Sequence, residues 1–167
     1  MDLFPATKKS ATVLLGLCLL CLAAGGLGSW LTAPSLDPWY AGLAKPSFNP
    51  PNWIFAPVWT TLFLFMAYAA WRIWQVSSTS AGILQRRRQA LVAFAIQLVF
   101  TVWWSAAFFF AQNPGFGLLV IALLALSVAT VMVLFFMLDR LAGLLFVPYL
   151  LWVLFASALN LSIFLLN

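Results

Sequence analysis

The sequence predicts an all-α membrane protein, a bundle of five transmembrane helices making one domain over residues 1–167. Three observations carry this prediction. Hydrophobic residues make up 65% of the chain, and mean hydropathy is +1.07. Charged residues make up only 7%, eight basic and three acidic, whereas a water-soluble domain commonly carries about a quarter. Five apolar stretches, each long enough at about 1.5 Å per residue to cross roughly 30 Å of hydrocarbon, use nearly the whole chain.

Met1 to Ser10 is a short polar start with Lys8 and Lys9. The first span follows over about 11–33. It exceeds the apolar region of a secretory signal and has no clear cleavage site, so it reads as a retained helix. Residues 34–52, PSLDPWYAGLAKPSFNPPN, hold five prolines and form the one long connection. Proline fixes φ and removes a donor, so this loop is stiff and does not span; Trp39, Tyr40 and Phe48 within it argue against disorder. The second span covers about 53–75, with Pro57 in its first turn. A polar connection over 77–89 ends in Arg86, Arg87 and Arg88, and the third span covers about 90–111. Asn113-Pro114-Gly115 makes a tight turn into a fourth span at about 116–138. Asp139 and Arg140 mark the boundary before a fifth at about 141–166.

Lys8, Lys9, Arg86, Arg87, Arg88 and Arg140 fall on one side of this arrangement, with Arg72 near it, and Lys45 alone on the other. By the positive-inside rule the N-terminus is cytoplasmic, the proline-rich loop and C-terminus lie outside, and a cytoplasmic-type membrane is favoured. The same bias accounts for the net charge of +5 without a nucleic-acid partner.

Several chemistries are excluded. Histidine is absent, which removes imidazole as general base, zinc ligand or haem ligand. The carboxylates Asp2, Asp37 and Asp139 all lie outside the spans, leaving no intramembrane proton relay. Cys18 and Cys21 share one face of an apolar helix without further ligands and read as packing residues. No catalytic residue, metal site or obligatory cofactor is expected. Ala24-x-x-x-Gly28 and Gly25-x-x-x-Ser29 are small-residue pairs that suit a homodimer contact on the first helix.

The nine tryptophans divide into two groups. Trp30, Trp39, Trp53, Trp71 and Trp74 lie near helix ends, as an interfacial belt requires. Trp59, Trp104 and Trp152 lie inside spans, where a buried indole needs a partner for its N–H. On the third helix Gln97, Thr101, Trp104 and Phe108 recur at helical spacing and share one face. Trp152, Ala156 and Asn160 do so on the fifth, and Trp59, Phe63 and Met66 on the second. Such faces look into a bundle rather than at lipid. They suit either a flat apolar cavity roofed by the stiff loop or ordinary polar glue between helices, and the pattern leaves both open.

The stretch Trp39-Tyr40-x-x-Leu43-x-Lys45-Pro46-x-x-x-Pro50-Pro51 resembles the first-loop signature of the TspO/translocator-protein family. Trp59, the Gln97-Leu98, Trp104-Ser105 and Phe108-Phe109 pairs, and Pro148-Tyr149-Leu150-x-Trp152-x-x-Phe155-Ala156-x-x-Leu159-Asn160 resemble its helix patterns in order. The resemblance implies a five-helix bundle, usually dimeric, that binds porphyrins such as protoporphyrin IX and haem, and also sterol-like molecules. It implies a lid of Trp39, Tyr40, Pro46 and Pro51. Its pocket would be lined by Trp59, Thr101, Trp104, Phe108, Trp152, Phe155, Ala156 and Asn160, with Phe63 joining through the stripe on the second helix. The family commonly has asparagine at Thr101 and tryptophan at Phe48, so this chain offers a hydroxyl for an amide and loses an indole N–H. Family members are placed in outer membranes of bacteria and mitochondria. The expected role is a receptor or carrier in tetrapyrrole transport or stress sensing. A light-dependent porphyrin-degrading enzyme and a structural, partner-binding membrane protein are the alternatives.

Overall fold

The structure, a computed structural model, describes residues 8–167, with side chains from Lys9 onward; Asp2 and the polar start before Lys8 lie outside the described residues. Helix α1 runs Lys8–Thr32 and continues through a 3-10 turn, Ala33–Ser35, and a wide turn, Leu36–Tyr40. A 3-10 turn at Asn52–Ile54 leads into α2, Phe55–Gln75. Helix α3, Ala81–Ser105, ends in a π-helical turn, Ala106–Phe110. Helix α4 is Pro114–Leu138, α5 is Arg140–Leu144 and α6 is Val147–Leu166. These form five segments long and apolar enough to cross a membrane, the fifth made of α5 and α6.

The structure moves several expected boundaries. Helical turns run on from α1 as far as Tyr40, where the proline-rich loop is expected from residue 34. The chain bends at Asp37 (φ −139°, ψ 130°), because the ring of Pro38 disfavours helical geometry at the residue before it. Helix α3 begins at Ala81, nine residues before the expected span. The Arg86–Arg88 run is therefore helical, projecting beyond the apolar segment instead of forming a loop. Arg87 Nη1 donates to the carbonyls of Trp74 (3.3 Å) and Val76 (2.9 Å), which satisfies orphan acceptors at the end of α2. The expected fifth span breaks after Leu144. Pro148 has no N–H for the Leu144 carbonyl and stands in the first turn of α6, where that missing donor does no harm.

Asn113 caps α4, its side chain accepting from Phe116 N at 2.9 Å, and Pro114 occupies the first helical turn. Within α4, Val120, Ile121, Leu124, Val128, Val131 and Phe135 are buried, and their spacing of three to four residues makes one continuous inward stripe. That stripe is the spine of the bundle. Helices α3, α5 and α6 pack on it; α1 packs across α2 and α3, and α2 closes the ring against α5. Between α2 and α6 the gap is bridged by aromatic rings, Trp59–Tyr149 at 6.1 Å and Phe55–Trp152 at 5.7 Å.

Two sets of polar contacts tie the end that carries the basic residues. Trp71 Nε1 donates to the Ser10 carbonyl (3.0 Å) and Ser10 Oγ donates to Gln75 Oε1 (3.2 Å), joining α1 to α2. Arg72 forms a two-toothed ion pair with Asp139, closest at 2.7 Å. Asp139 also accepts from Ala142 N at 2.9 Å and so caps α5. At the opposite end, the Asn167 side chain accepts from Ala44 N (3.0 Å) and donates to Ala44 O (3.1 Å), clamping the loop onto the end of α6.

Candidate ligand-binding site

A cavity of about 510 Å3 lies between α1, α2 and α3 at the loop end of the bundle. Small-molecule sites commonly measure roughly 300–1,000 Å3. Its α1 side is made mostly of small residues, Ala24, Gly25, Gly26, Gly28 and Ser29 and then Thr32 and Ala33, with Leu22 and Leu36 at either end. Aromatic residues supply most of the rest: Phe55, Trp59 and Phe63 from α2, Trp104 and Phe109 from α3 and its terminal turn, and Tyr40 from the loop end. Thr101 and Ser105 add hydroxyls on α3, and Asn52 an amide at the rim.

Two of the glycines let neighbouring side chains approach α1 closely. A Cβ on Gly25 would stand 2.5 Å from the Phe63 ring, and one on Gly28 would stand 3.2 Å from Ser105 Oγ. The face expected to meet a second copy is therefore used inside the chain at these two positions. Composition alone does not show this, because a glycine against lipid and a glycine against a phenylalanine read identically in sequence.

Of the residues nominated from sequence, Tyr40, Trp59, Phe63, Thr101 and Trp104 meet at the cavity. The others stand behind or beside it. Trp39 packs edge-on against Phe108 (5.7 Å) and Phe109 (6.5 Å), so it braces the end of α3. Phe108 is buried in that cluster, and Phe109 faces the cavity in its place. The π-helical turn accounts for the exchange, since one extra residue in a turn rotates the side chains beyond it. Pro46 accepts from Asn49 N (3.0 Å) and Pro51 from Ile54 N (3.0 Å), so each shapes a turn of the loop. Trp152 and Phe155 form an aromatic layer with Phe55 and Phe48. Ala156 is buried in the core beside them.

Two hydrogen-bond chains, one part-buried and one buried, hold the aromatic walls. Trp104 Nε1 donates to Asn160 Oδ1 (3.2 Å), and Asn160 Nδ2 donates to the Pro114 carbonyl (2.8 Å). Helices α3, α4 and α6 thus meet at one amide. Thr101 Oγ1 lies 2.8 Å from Tyr149 Oη, which donates to Gln97 Oε1 at 3.1 Å, and Gln97 Nε2 points at Met66 Sδ at 3.6 Å. The hydroxyl at 101 meets a tyrosine and needs no longer side chain. Tyr149 is the residue that sequence patterning misses. It is legible only as part of a motif, because its partner lies 48 positions away. Trp152 Nε1 is buried with no hydrogen-bond partner, an uncommon state for an indole in a dry interior.

Among the described residues, no carboxylate, thiol or lysine lines the cavity, and no group of three or more is suited to a metal ion. What the walls offer is flat apolar area, indole faces and a few hydroxyls. The arrangement can enclose a planar hydrophobic molecule.

Comparison with known proteins agrees with this architecture. Residues 17–166 match the model of the TspO/MBR family. The chain is 43% identical to the tryptophan-rich protein TspO of Chlorobaculum tepidum, over 92% of this chain and 95% of that one. It is 41% identical to the protein of the same name from Archaeoglobus fulgidus, over 89% and 93% respectively. With the human translocator protein it shares 34% identity over 73% of this chain and 70% of that one. The chain is a multi-pass membrane protein and belongs to the TspO/MBR family.

Proposed function

We propose that this protein is a membrane receptor and carrier for porphyrins, protoporphyrin IX or haem in the first instance, acting in tetrapyrrole transport or stress sensing. The observation that carries the reading is the cavity itself: about 510 Å3, bounded by a flat wall of small residues on α1 and by indoles from α2 and α3. A planar macrocycle fits between such walls, gaining apolar burial at about 25 cal/mol per Å2 and face contacts with Trp59 and Trp104. Recognition rests on ring shape. The chain has no histidine and its two cysteines, Cys18 and Cys21, do not line the cavity, so metal-free and iron-bearing rings should bind alike. Propionate groups belong at the loop end, where Lys45 stands over the Tyr40 ring at 4.6 Å.

Titration of the purified protein with protoporphyrin IX, read by tryptophan fluorescence, tests this. Saturable quenching is expected, stronger than any effect of a sterol at the same concentration. Trp59→Leu should weaken it directly, and Trp152→Ala should weaken it by removing the ring behind Phe55. Tighter binding of a sterol, or the absence of saturable quenching, would reject the tetrapyrrole assignment.

A further inference from the structure

The cavity has its opening on the side of the bundle. Gly26, Ser29 and Ala33 on the α1 side and Ala56 and Thr60 on α2 all line it, and all five are exposed or half-buried at the bundle surface. Their spacing of three and four residues sets them along one seam between the two helices. Their side chains are small, and a Cβ on Gly26 meets nothing within 4 Å. The seam therefore leaves a gap where larger residues would close it.

Both ends are shut. Toward the basic end, Phe63 sits against Gly25 as a floor, and Trp71, Ser10 and Gln75 bond α1 to α2 beyond it. At the loop end Tyr40 is only 7% exposed, and the Asn167–Ala44 clamp holds the loop in place. The rim is also chemically fit to face hydrocarbon. Thr60 Oγ1 donates to Ala56 O at 2.8 Å and Thr32 Oγ1 to Gly28 O at 2.9 Å, so these hydroxyls need no water. Trp30 and Trp53, 68% and 73% exposed, place this end of the seam near the membrane interface.

We infer that the cavity is loaded sideways from the bilayer, through the α1–α2 seam, by a flat and mostly apolar amphiphile already dissolved in the membrane leaflet at the loop end. This rests on the reading of the cavity as a binding site. It makes the bilayer the immediate source of ligand, with the loop a fixed roof.

The test uses the full chain in phosphatidylcholine vesicles with protoporphyrin IX, with quenching recorded in a stopped-flow instrument and release by dilution into empty vesicles. Gly26→Phe combined with Ala56→Phe narrows the seam. Association and dissociation rates should both fall, by about tenfold each. A narrowed portal slows release, whereas a damaged pocket speeds it. Faster release, or rates unchanged from the wild type, would overturn the inference. Asn167→Ala frees the loop clamp and should leave both rates unaltered; acceleration of both would place the route under the loop. A second probe works without tetrapyrrole. Phosphatidylcholine with brominated acyl chains should quench Trp59, seen as the part of the quenching lost in Trp59→Phe, and the double substitution should abolish that part. If protoporphyrin IX gives no saturable quenching, the tetrapyrrole assignment fails, and the brominated lipid still decides the portal.

Discussion

Asn160 joins three helices through one side chain, accepting from Trp104 Nε1 and donating to the Pro114 carbonyl. Its replacement by alanine leaves the Trp104 indole N–H without its partner. The expected loss is about 1–3 kcal/mol of stability, read as a lower thermal midpoint in detergent, together with weaker porphyrin quenching as Trp104 loses its hold. Tyr149→Phe should cost about 1 kcal/mol by removing the hydroxyl that links Thr101 to Gln97; an unchanged midpoint would show that this chain of bonds is not structural. The inward placement of Gln97, Thr101 and Asn160 is legible in sequence because helical spacing assigns a face. Their partners are not, since a bond between residues 56 positions apart depends on which helices are neighbours.

Among the elements, the junction of α2 with α4 and α5 carries an electrostatic lock, the Arg72–Asp139 ion pair. Burial alone would raise the Asp139 carboxyl. The Arg72 guanidinium and the N–H groups of Ala142 and Leu141 outweigh that effect and hold it below the ordinary aspartate value of 3.8. Because the folded state keeps the charged form more readily than the unfolded chain, this contribution is present above the ordinary value. It is lost as pH falls through the lowered one. The thermal midpoint should therefore drop as pH is taken from 6 to about 3, and Asp139→Asn should flatten that dependence while lowering the midpoint at pH 6. A wild-type midpoint independent of pH would exclude the lock. The sequence marks Asp139 and Arg140 as a boundary, yet assigns Arg72 only to the basic side. It likewise places the start of the third helix at the edge of the apolar run. Helix α3 starts earlier because Arg86–Arg88 are good helix formers that project into water, and a hydropathy boundary marks the membrane surface rather than the end of a helix.

For the whole molecule, five spans and their order are plain from composition, since few charges and long apolar runs admit no other solvent. The location of the cavity is not. Helical spacing turns the faces of α2 and α3 inward, as the structure has them, whereas α6 is expected to supply the opposite wall and instead supports from behind. Helix α1 supplies it. In sequence the small-residue pairs of α1 suit a contact with a second copy, and its glycines give no sign of facing Phe63 or Ser105. Gly25→Leu should fill the space and strain the contact with Phe63, costing about 1–3 kcal/mol and abolishing porphyrin quenching. Retained quenching would move the ligand elsewhere.

The structure of the protein bound to protoporphyrin IX tests the central claim most directly. The ring should lie between the α1 wall at Gly25–Ser29 and the indoles of Trp59 and Trp104, with its carboxylates toward Lys45. A ring seated instead against Trp152 and Phe155, on the far side of Phe55, would contradict the assignment of the site.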